Sequence, residues 1–355
     1  MTRKNDLEWS PVCLSQIFTF ERGKENNMAS LVEGETPLVS ARKVNNGIKG
    51  FVANPSKIIK GRNVLSLNND GDGGAGLAFY QCVDFALDSH VTALHSKTTL
   101  SAQTLLFIAA CISKQHAIFG HGYSISLPRA KRILSMLPVD DSGNPDYQYM
   151  AEYISAIRNS FLKNYTDFLS QKIAKIGNHV DIEPLTTKNR QAFHIADLFS
   201  VSRPVARNKN DYSDGNIPFV ASGSNNNGVF KLCSAIGDEK LDEGNCITVS
   251  PVDGSAFYQP IDFLGRGGAG SSILILRCSK LNKYNGPFIA RAIKQTTSKY
   301  NYGHMGNKDN IKRELIMLPI DESGDPDYEY MEQYAKNMMI QKYQQYLNFI
   351  ASKQG

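Results

Sequence analysis

Leu137-Pro-Val-Asp-Asp-Ser-Gly-Asn-Pro-Asp-Tyr-Gln-Tyr-Met150 returns almost unchanged as Leu318-Pro-Ile-Asp-Glu-Ser-Gly-Asp-Pro-Asp-Tyr-Glu-Tyr-Met331, 181 positions later. The same offset carries Phe18 to Phe199, Arg22 to Arg203, Pro37 to Pro218, and Asn45-Asn46-Gly47 to Asn226-Asn227-Gly228. It also carries Phe107-Ile108-Ala109 to Phe288-Ile289-Ala290 and Gly122 to Gly303. Between these anchors Ala78-Phe-Tyr-Gln81 matches Ala256-Phe-Tyr-Gln259 at an offset of 178, so small gaps open and close in the middle. Chance does not hold such a register. The period is half the chain, far beyond the roughly 20–50 residues of a solenoid unit, so one module has been duplicated. Matches are sparse over residues 1–90 and dense over 137–153. Two similar frames therefore hold two different surfaces, the layout expected when related modules recognise different things.

The quoted element also divides each copy. Its Leu-Pro and Asn-Pro or Asp-Pro pairs break regular structure at 137–145 and 318–326. Asp146 and Asp327 then stand where a helix needs a cap. In the first copy Met150, Ile154, Ile157, Phe161, Tyr165, Phe168, Ile173 and Ile176 recur at mostly helical spacing. In the second, Met331, Ala335, Met338, Tyr346, Phe349 and Ile350 do the same, with a lapse at Lys342. A helix with one apolar stripe needs a partner. The simplest arrangement is an antiparallel coiled coil of the two helices about a pseudo-two-fold axis, with Ile154, Ile157, Phe161, Tyr165, Phe168, Met338, Tyr346 and Phe349 as packing residues. About 27 residues of helix span roughly 40 Å, comparable with a DNA turn of about 34 Å.

Upstream, residues 35–97 and 216–278 read as short strands. Val64–Leu67, Leu77–Tyr80, Cys246–Val249 and Ser272–Arg277 are β-prone runs bounded by Gly, Asn and Pro. Leu100–Lys114 and Gly286–Gln295 have helical apolar spacing. The expected fold is α+β: two tandem domains of mixed strands and short helices, residues 1–145 and 179–326, with long helices at 146–178 and 327–355.

Composition narrows the function. Of 355 residues, 41% are hydrophobic and 21% charged, which excludes a disordered tail, a collagen-like fibre and a pure coiled coil. A net charge of +5 permits nucleic-acid binding only where basic groups cluster. The polar opening Met1–Ser10 carries no apolar signal core, and Leu105–Ile112 is too short to span a membrane, so a cytoplasmic location is expected. Cys13, Cys82, Cys111, Cys233, Cys246 and Cys278 form no Cys-x-x-Cys pair, and the seven His show no ligand spacing. Neither a zinc site nor a disulfide framework is expected.

Two motifs are decoys. Gly71-Asp-Gly73-Gly-Ala-Gly76 and Gly265-Arg-Gly267-Gly-Ala-Gly270 fit the G-x-G-x-x-G pattern, but a dinucleotide loop must open a helix and strand-like residues follow both. They read as turns between strands. Asn144-Pro-Asp-Tyr147 resembles the Asn-Pro-Pro-Tyr motif of amino-methyltransferases, but lacks its second Pro and becomes Asp325-Pro-Asp-Tyr328 in the other copy. No nuclease cluster, catalytic triad or acid–base pair can be named.

What remains are polar and basic loops that recur in both copies. Ser40-Ala-Arg-Lys-Val-Asn-Asn-Gly47 aligns with Ala221-Ser-Gly-Ser-Asn-Asn-Asn-Gly228. Arg reads guanine and Asn reads adenine bidentately in the major groove. The candidate DNA contacts are Arg42, Lys43, Asn45, Asn46, Tyr123, Arg129 and Lys131 in the first copy. In the second they are Arg203, Arg207, Lys209, Ser222, Asn225, Asn226, Asn227, Arg266, Tyr300, Tyr302 and Lys308.

The tail Phe119-Gly-His-Gly-Tyr123, Arg132, Met136 to Met150, with its copy Tyr300-Asn-Tyr-Gly303, Arg313, Met317 to Met331, resembles the specificity (S) subunits of restriction–modification systems. Those of type I and of the BcgI-like type IIB systems are the most similar, and the short helices favour the latter. The resemblance covers essentially the whole chain as recognition domain, helix, recognition domain, helix. It implies that each domain reads half of a split, asymmetric double-stranded DNA site, and that the helices set the spacer and dock a methyltransferase/endonuclease subunit. It implies a chain without catalysis or cofactor of its own, the methyl donor and Mg²⁺ belonging to the partner. The competing readings are a duplicated protein-binding adaptor and a divergent DNA methyltransferase.

Overall fold

The computed structural model describes residues 7–25, 28–71, 74–120, 122–268, 270 and 272–354. The chain divides into two compact units, residues 1–165 and 166–355. The first runs β1 (Trp9–Cys13), α1 (Leu14–Ile17), β2 (Phe18–Arg22), β3 (Glu33–Val39), β4 (Ile48–Val52), β5 (Ile58–Ile59), β6 (Val64–Asn68), β7 (Ala78–Gln81), β8 (Phe85–Leu87) and β9 (Val91–Ser96). It continues through α2 (Ala102–Ser113), α3 (Leu127–Arg132) and β10 (Leu134–Pro138) into α4 (Tyr147–Ile176). Two four-stranded sheets form, in the orders β2-β9-β6-β7 and β4-β3-β8-β5, while β1 pairs antiparallel with β10. Only β3 and β8 pair in parallel within these sheets.

Strand β6 explains the layering. Its five residues, Val-Leu-Ser-Leu-Asn, are all buried, because both of its faces are covered. Successive side chains alternate between faces. Leu65 and Leu67 meet Leu105, Ile108 and Ile112 of α2, while Val64 joins Val39, Phe85 and Leu87 from the second sheet. Sheet, sheet and helix make three layers. Each fully buried Leu or Ile contributes about 1.5–3 kcal/mol. Helix α2 starts where Ser101 Oγ accepts the Thr104 N–H at 3.1 Å.

The second unit repeats this with β11 (Arg190–His194), α5 (Ile195–Leu198), β12 (Ser200–Ser202), β13 (Asp214–Val220), β14 (Val229–Cys233), β15 (Cys246–Val249), β16 (Ala256–Gln259), β17 (Leu264–Gly265) and β18 (Leu274–Arg277). It closes with α6 (Asn285–Thr297), α7 (Lys308–Lys312), β19 (Leu315–Pro319) and α8 (Tyr328–Gln354). The order β12-β18-β15-β16 mirrors the first sheet and β14-β13-β17 the second. The place of β5 is taken by a single bridge between Asp242 and Phe263. The α+β duplication expected from the sequence is the observed architecture.

The repeated Pro-rich element is a strand-to-helix joint. Asp140 Oδ1 accepts the Ser142 and Asn144 N–H groups, each at 2.9 Å, and Gly143 takes φ +79°. Asp321 does the same with Ser323 and Asp325, and Gly324 takes φ +85°. Asp146 Oδ1 then accepts the Tyr149 N–H at 2.8 Å and Asp327 Oδ1 the Tyr330 N–H at 2.9 Å, capping α4 and α8. These turns require Asp and Gly for local reasons, which accounts for the fidelity of the repeat and gives Asn144-Pro-Asp-Tyr147 a structural role.

The internal gaps have a location. The β6–β7 loop spans 69–77 but its counterpart only 250–255, whereas the β8–β9 loop spans 88–90 and its counterpart 266–273. The two glycine runs are not at equivalent places: the first lies between β6 and β7, with Asp72 and Gly73 outside the described residues, and the second begins in β17 and precedes β18, with Ala269 outside them.

The long helices depart from their stripe. Ile154 packs on the first unit's core, but Ile157, Phe161, Tyr165, Phe168, Met338, Tyr346 and Phe349 are exposed, Phe161 by 71%. Met150 and Leu169 on α4, and Tyr330, Met331, Ala335, Asn337, Ile340 and Ile350 on α8, are the buried positions. Among the described residues no helix is long and apolar enough to cross a membrane, and all six Cys are free.

Candidate nucleic-acid interface

The β3–β4 turn is built identically in both units. Asn45 and Asn46 adopt φ +54° and +53°; Asn226 and Asn227 adopt +49° and +57°. Asn tolerates this left-handed backbone better than other non-glycine residues. Asn46 Nδ2 donates to the Tyr80 carbonyl at 2.7 Å, and Gln81 Nε2 returns a bond to the Asn46 carbonyl at 3.1 Å and another to Ser66 Oγ. Asn227, Gln259 and Thr248 reproduce the arrangement. The repetition of Asn-Asn-Gly therefore reflects turn construction. The side-chain nitrogens of Asn46 and Asn227 are engaged inside the unit, although both residues are exposed. Asn225 remains exposed beside them.

In the first unit this turn carries Arg42 and Lys43, both exposed. The end of β6 supports it: Asn68 Nδ2 donates to the Arg42 carbonyl at 2.9 Å. Asn69 takes the Ile125 N–H on its carbonyl at 2.6 Å, and Asp70 pairs with His90 Nδ1 at 2.9 Å. Gly76, at φ +80°, lies so close to Phe119 that an added Cβ would stand 2.5 Å from its ring. Phe119 stacks on Tyr123, and the Arg129 guanidinium lies 3.9 Å over the Tyr123 ring, tied to the Ser124 carbonyl. These contacts tie the segment carrying Arg42 and Lys43 to the one carrying Tyr123; Arg129 and Lys131 follow on α3, with Lys131 exposed.

In the second unit the corresponding positions of Arg42 and Lys43 are Gly223 and Ser224, and the cations come from elsewhere. An open cleft of about 400 Å³ gathers Lys209, Ser222, Phe230, Asp253, Arg266 and Tyr302. Lys209 Nζ stands 4.0 Å over the Phe230 ring, and Tyr302 is 83% exposed. Phe230 was not singled out in the sequence; an aromatic on the outward register of β14 is the signal that could have found it. Arg203 and Lys308 are exposed but do not line this cleft.

Two candidates are corrected. Arg207 is buried: Nε donates to Glu239 at 3.1 Å, one terminal nitrogen to Asp242 at 2.7 Å and the Gly265 carbonyl at 3.2 Å, the other to the Lys240 carbonyl at 2.7 Å. It staples the 239–242 segment to β17 and cannot reach DNA. Burial opposes ionisation of Glu239, but bonds from Ile236, Tyr212 and Arg207 hold its pKa below the ordinary value. Burial and the Glu239 carboxylate push Tyr212 up to about 12. Tyr300 is buried as well, its hydroxyl donating to Glu314 at 3.0 Å, and burial followed by that carboxylate pushes its phenol up. Among the described residues no three His, Cys, Asp or Glu side chains converge as a metal site.

Known proteins share this layout. The family described as type I restriction modification DNA specificity domain matches residues 6–166 and again 187–347. The chain is 28% identical over 341 residues to the specificity subunit S.BcgI of a type II restriction enzyme from Heyndrickxia coagulans, covering 94% of this chain and 95% of that protein. A solved type I restriction–modification S subunit from M. genitalium aligns with TM-score 0.55 at 12% identity, covering 99% of this chain and 94% of that one.

Proposed function

Because the chain belongs to the family of type I restriction–modification DNA specificity domains, which fill both its units, we propose that each unit reads one half of a split, asymmetric double-stranded DNA site. The chain is a specificity subunit of a restriction–modification system. In this reading α4 and α8, 30 and 27 residues long, set the spacer as an antiparallel pair of about 40 Å or slightly more. They also dock the subunit that carries methyltransferase and endonuclease activity. This chain supplies the address; the methyl donor and Mg²⁺ belong to the partner. Likeness to S.BcgI over nearly the full length of both chains favours the BcgI-like branch.

The observation that carries the reading is the change of chemistry on a constant frame. The first unit presents Arg42, Lys43 and Tyr123 with Arg129 over its ring; the second presents Lys209 over Phe230, Arg266 and Tyr302. Cations position the protein on phosphates and read base edges, and different side chains on one frame give different half-sites.

Affinity of the chain with its partner subunit for a duplex carrying the target should fall steeply with salt, the slope dropping by about one unit for each phosphate-contacting Lys removed. A Lys43→Ala variant is the first to measure. Salt-independent binding, or none, would favour the adaptor reading. Calorimetric binding of a methyl donor to the purified chain would favour the methyltransferase.

A further inference from the structure

A run of rings distinguishes the two units. In the first, Tyr149 stacks on Tyr153 with centroids 6.0 Å apart, Tyr153 meets Phe107 edge-on at 5.6 Å, and Phe107 stacks on Trp9 at 6.0 Å. The second repeats the first three members: Tyr330 on Tyr334 at 6.2 Å and Tyr334 edge-on to Phe288 at 5.5 Å. The fourth ring is missing, because Arg190 stands at the position of Trp9. A groove of about 390 Å³ opens there, walled by Phe288, Tyr334, Met338 and Met339 and flanked by Arg190 and Arg291. Both arginines are exposed, and neither forms an ion pair among the described residues.

We propose that this groove receives an aromatic side chain flanked by carboxylates, presented by the catalytic subunit; the inference rests on the proposed function for the existence of that subunit. The first unit shows what the site holds when filled, an indole against the Phe ring. The chain's single Trp is already engaged there, so a second copy has no further indole to supply. Two exposed guanidiniums call for carboxylates, which they bind bidentately, and Arg190 is placed to stack on the incoming ring. Methionine walls repack around an irregular apolar guest, and aromatic, Met and Arg side chains are the types that anchor protein interfaces.

Arg190→Trp rebuilds in the second unit the ring that the first already carries. The full chain, co-expressed with its methyltransferase-bearing subunit, is titrated by analytical ultracentrifugation. Arg190→Trp is expected to weaken the complex at least tenfold while leaving both half-sites of the modified sequence unchanged at saturating subunit. If Arg190→Trp misfolds, the surface double variant Arg190→Ala with Arg291→Ala should weaken the complex to a similar degree and flatten its salt dependence. Wild-type affinity in either folded variant overturns the groove while leaving the proposed function standing. Failure of the wild-type chain to form any complex overturns both.

Discussion

Arginine shows how little a residue's type reveals about its role. Arg207 and Arg266 looked alike as basic loop residues, yet one is a buried staple and the other lines an open cleft. Removing one member of a buried, hydrogen-bonded ion pair costs about 3–5 kcal/mol. Arg207→Ala should therefore lower stability by that amount in urea unfolding and weaken DNA binding only as the unit unfolds. Arg266→Ala, at a half-buried position lining the cleft, should cost less stability than Arg207→Ala and relax one half-site by about 1–3 kcal/mol. The opposite pattern would exchange their roles. The same lesson covers Tyr300 and Tyr302, two residues apart in sequence, one buried and one 83% exposed.

His90 gives the first unit's loops a pH dependence. Its hydrogen bond to Asp70, opposed by partial burial, raises its pKa above 6.5. A raised histidine stabilises when protonated, so the contribution is complete below about 6.5 and fades as pH climbs through the raised value. An NMR titration of the ring should give a midpoint above 6.5 that falls in Asp70→Asn. A midpoint that Asp70→Asn leaves in place would mean the pair does not hold the loop.

Elements were more legible than residues. The duplicated joint at 137–150 and 318–331 announced itself because its Asp, Gly and Pro serve local geometry, which sequence records directly. Strand β6 was readable from composition alone, being covered on both faces. The stripe on the long helices misled: spacing identifies a face, but not what lies against it, and Ile157 and Phe161 are exposed while Leu169 is buried. If the helices set the spacer, inserting four residues, about one turn, after Asn159 and after Ile340 should lengthen the unread gap while preserving both half-sites. An unchanged gap would assign the ruler to another element.

For the whole molecule, the duplication is what makes a split site physically natural: one frame, used twice, with its loops altered. The loop lengths changed, short at 250–255 and long at 266–273, and the cations sit not on the β3–β4 turn but at Lys209, between β12 and β13, and at Arg266 in the lengthened loop. Which loop bears the charge depends on three-dimensional neighbours, so the pairing of Lys209 with Phe230 and Tyr302 was beyond a reading of one sequence. The most direct measurement is the methylome of a host expressing this chain with its methyltransferase subunit. Two different, separated half-sites flanking a fixed unread spacer are predicted, with substitutions at Arg42 and Lys43 altering one half and at Arg266 and Tyr302 the other. A single continuous motif, or both halves changing together with either set, would contradict it.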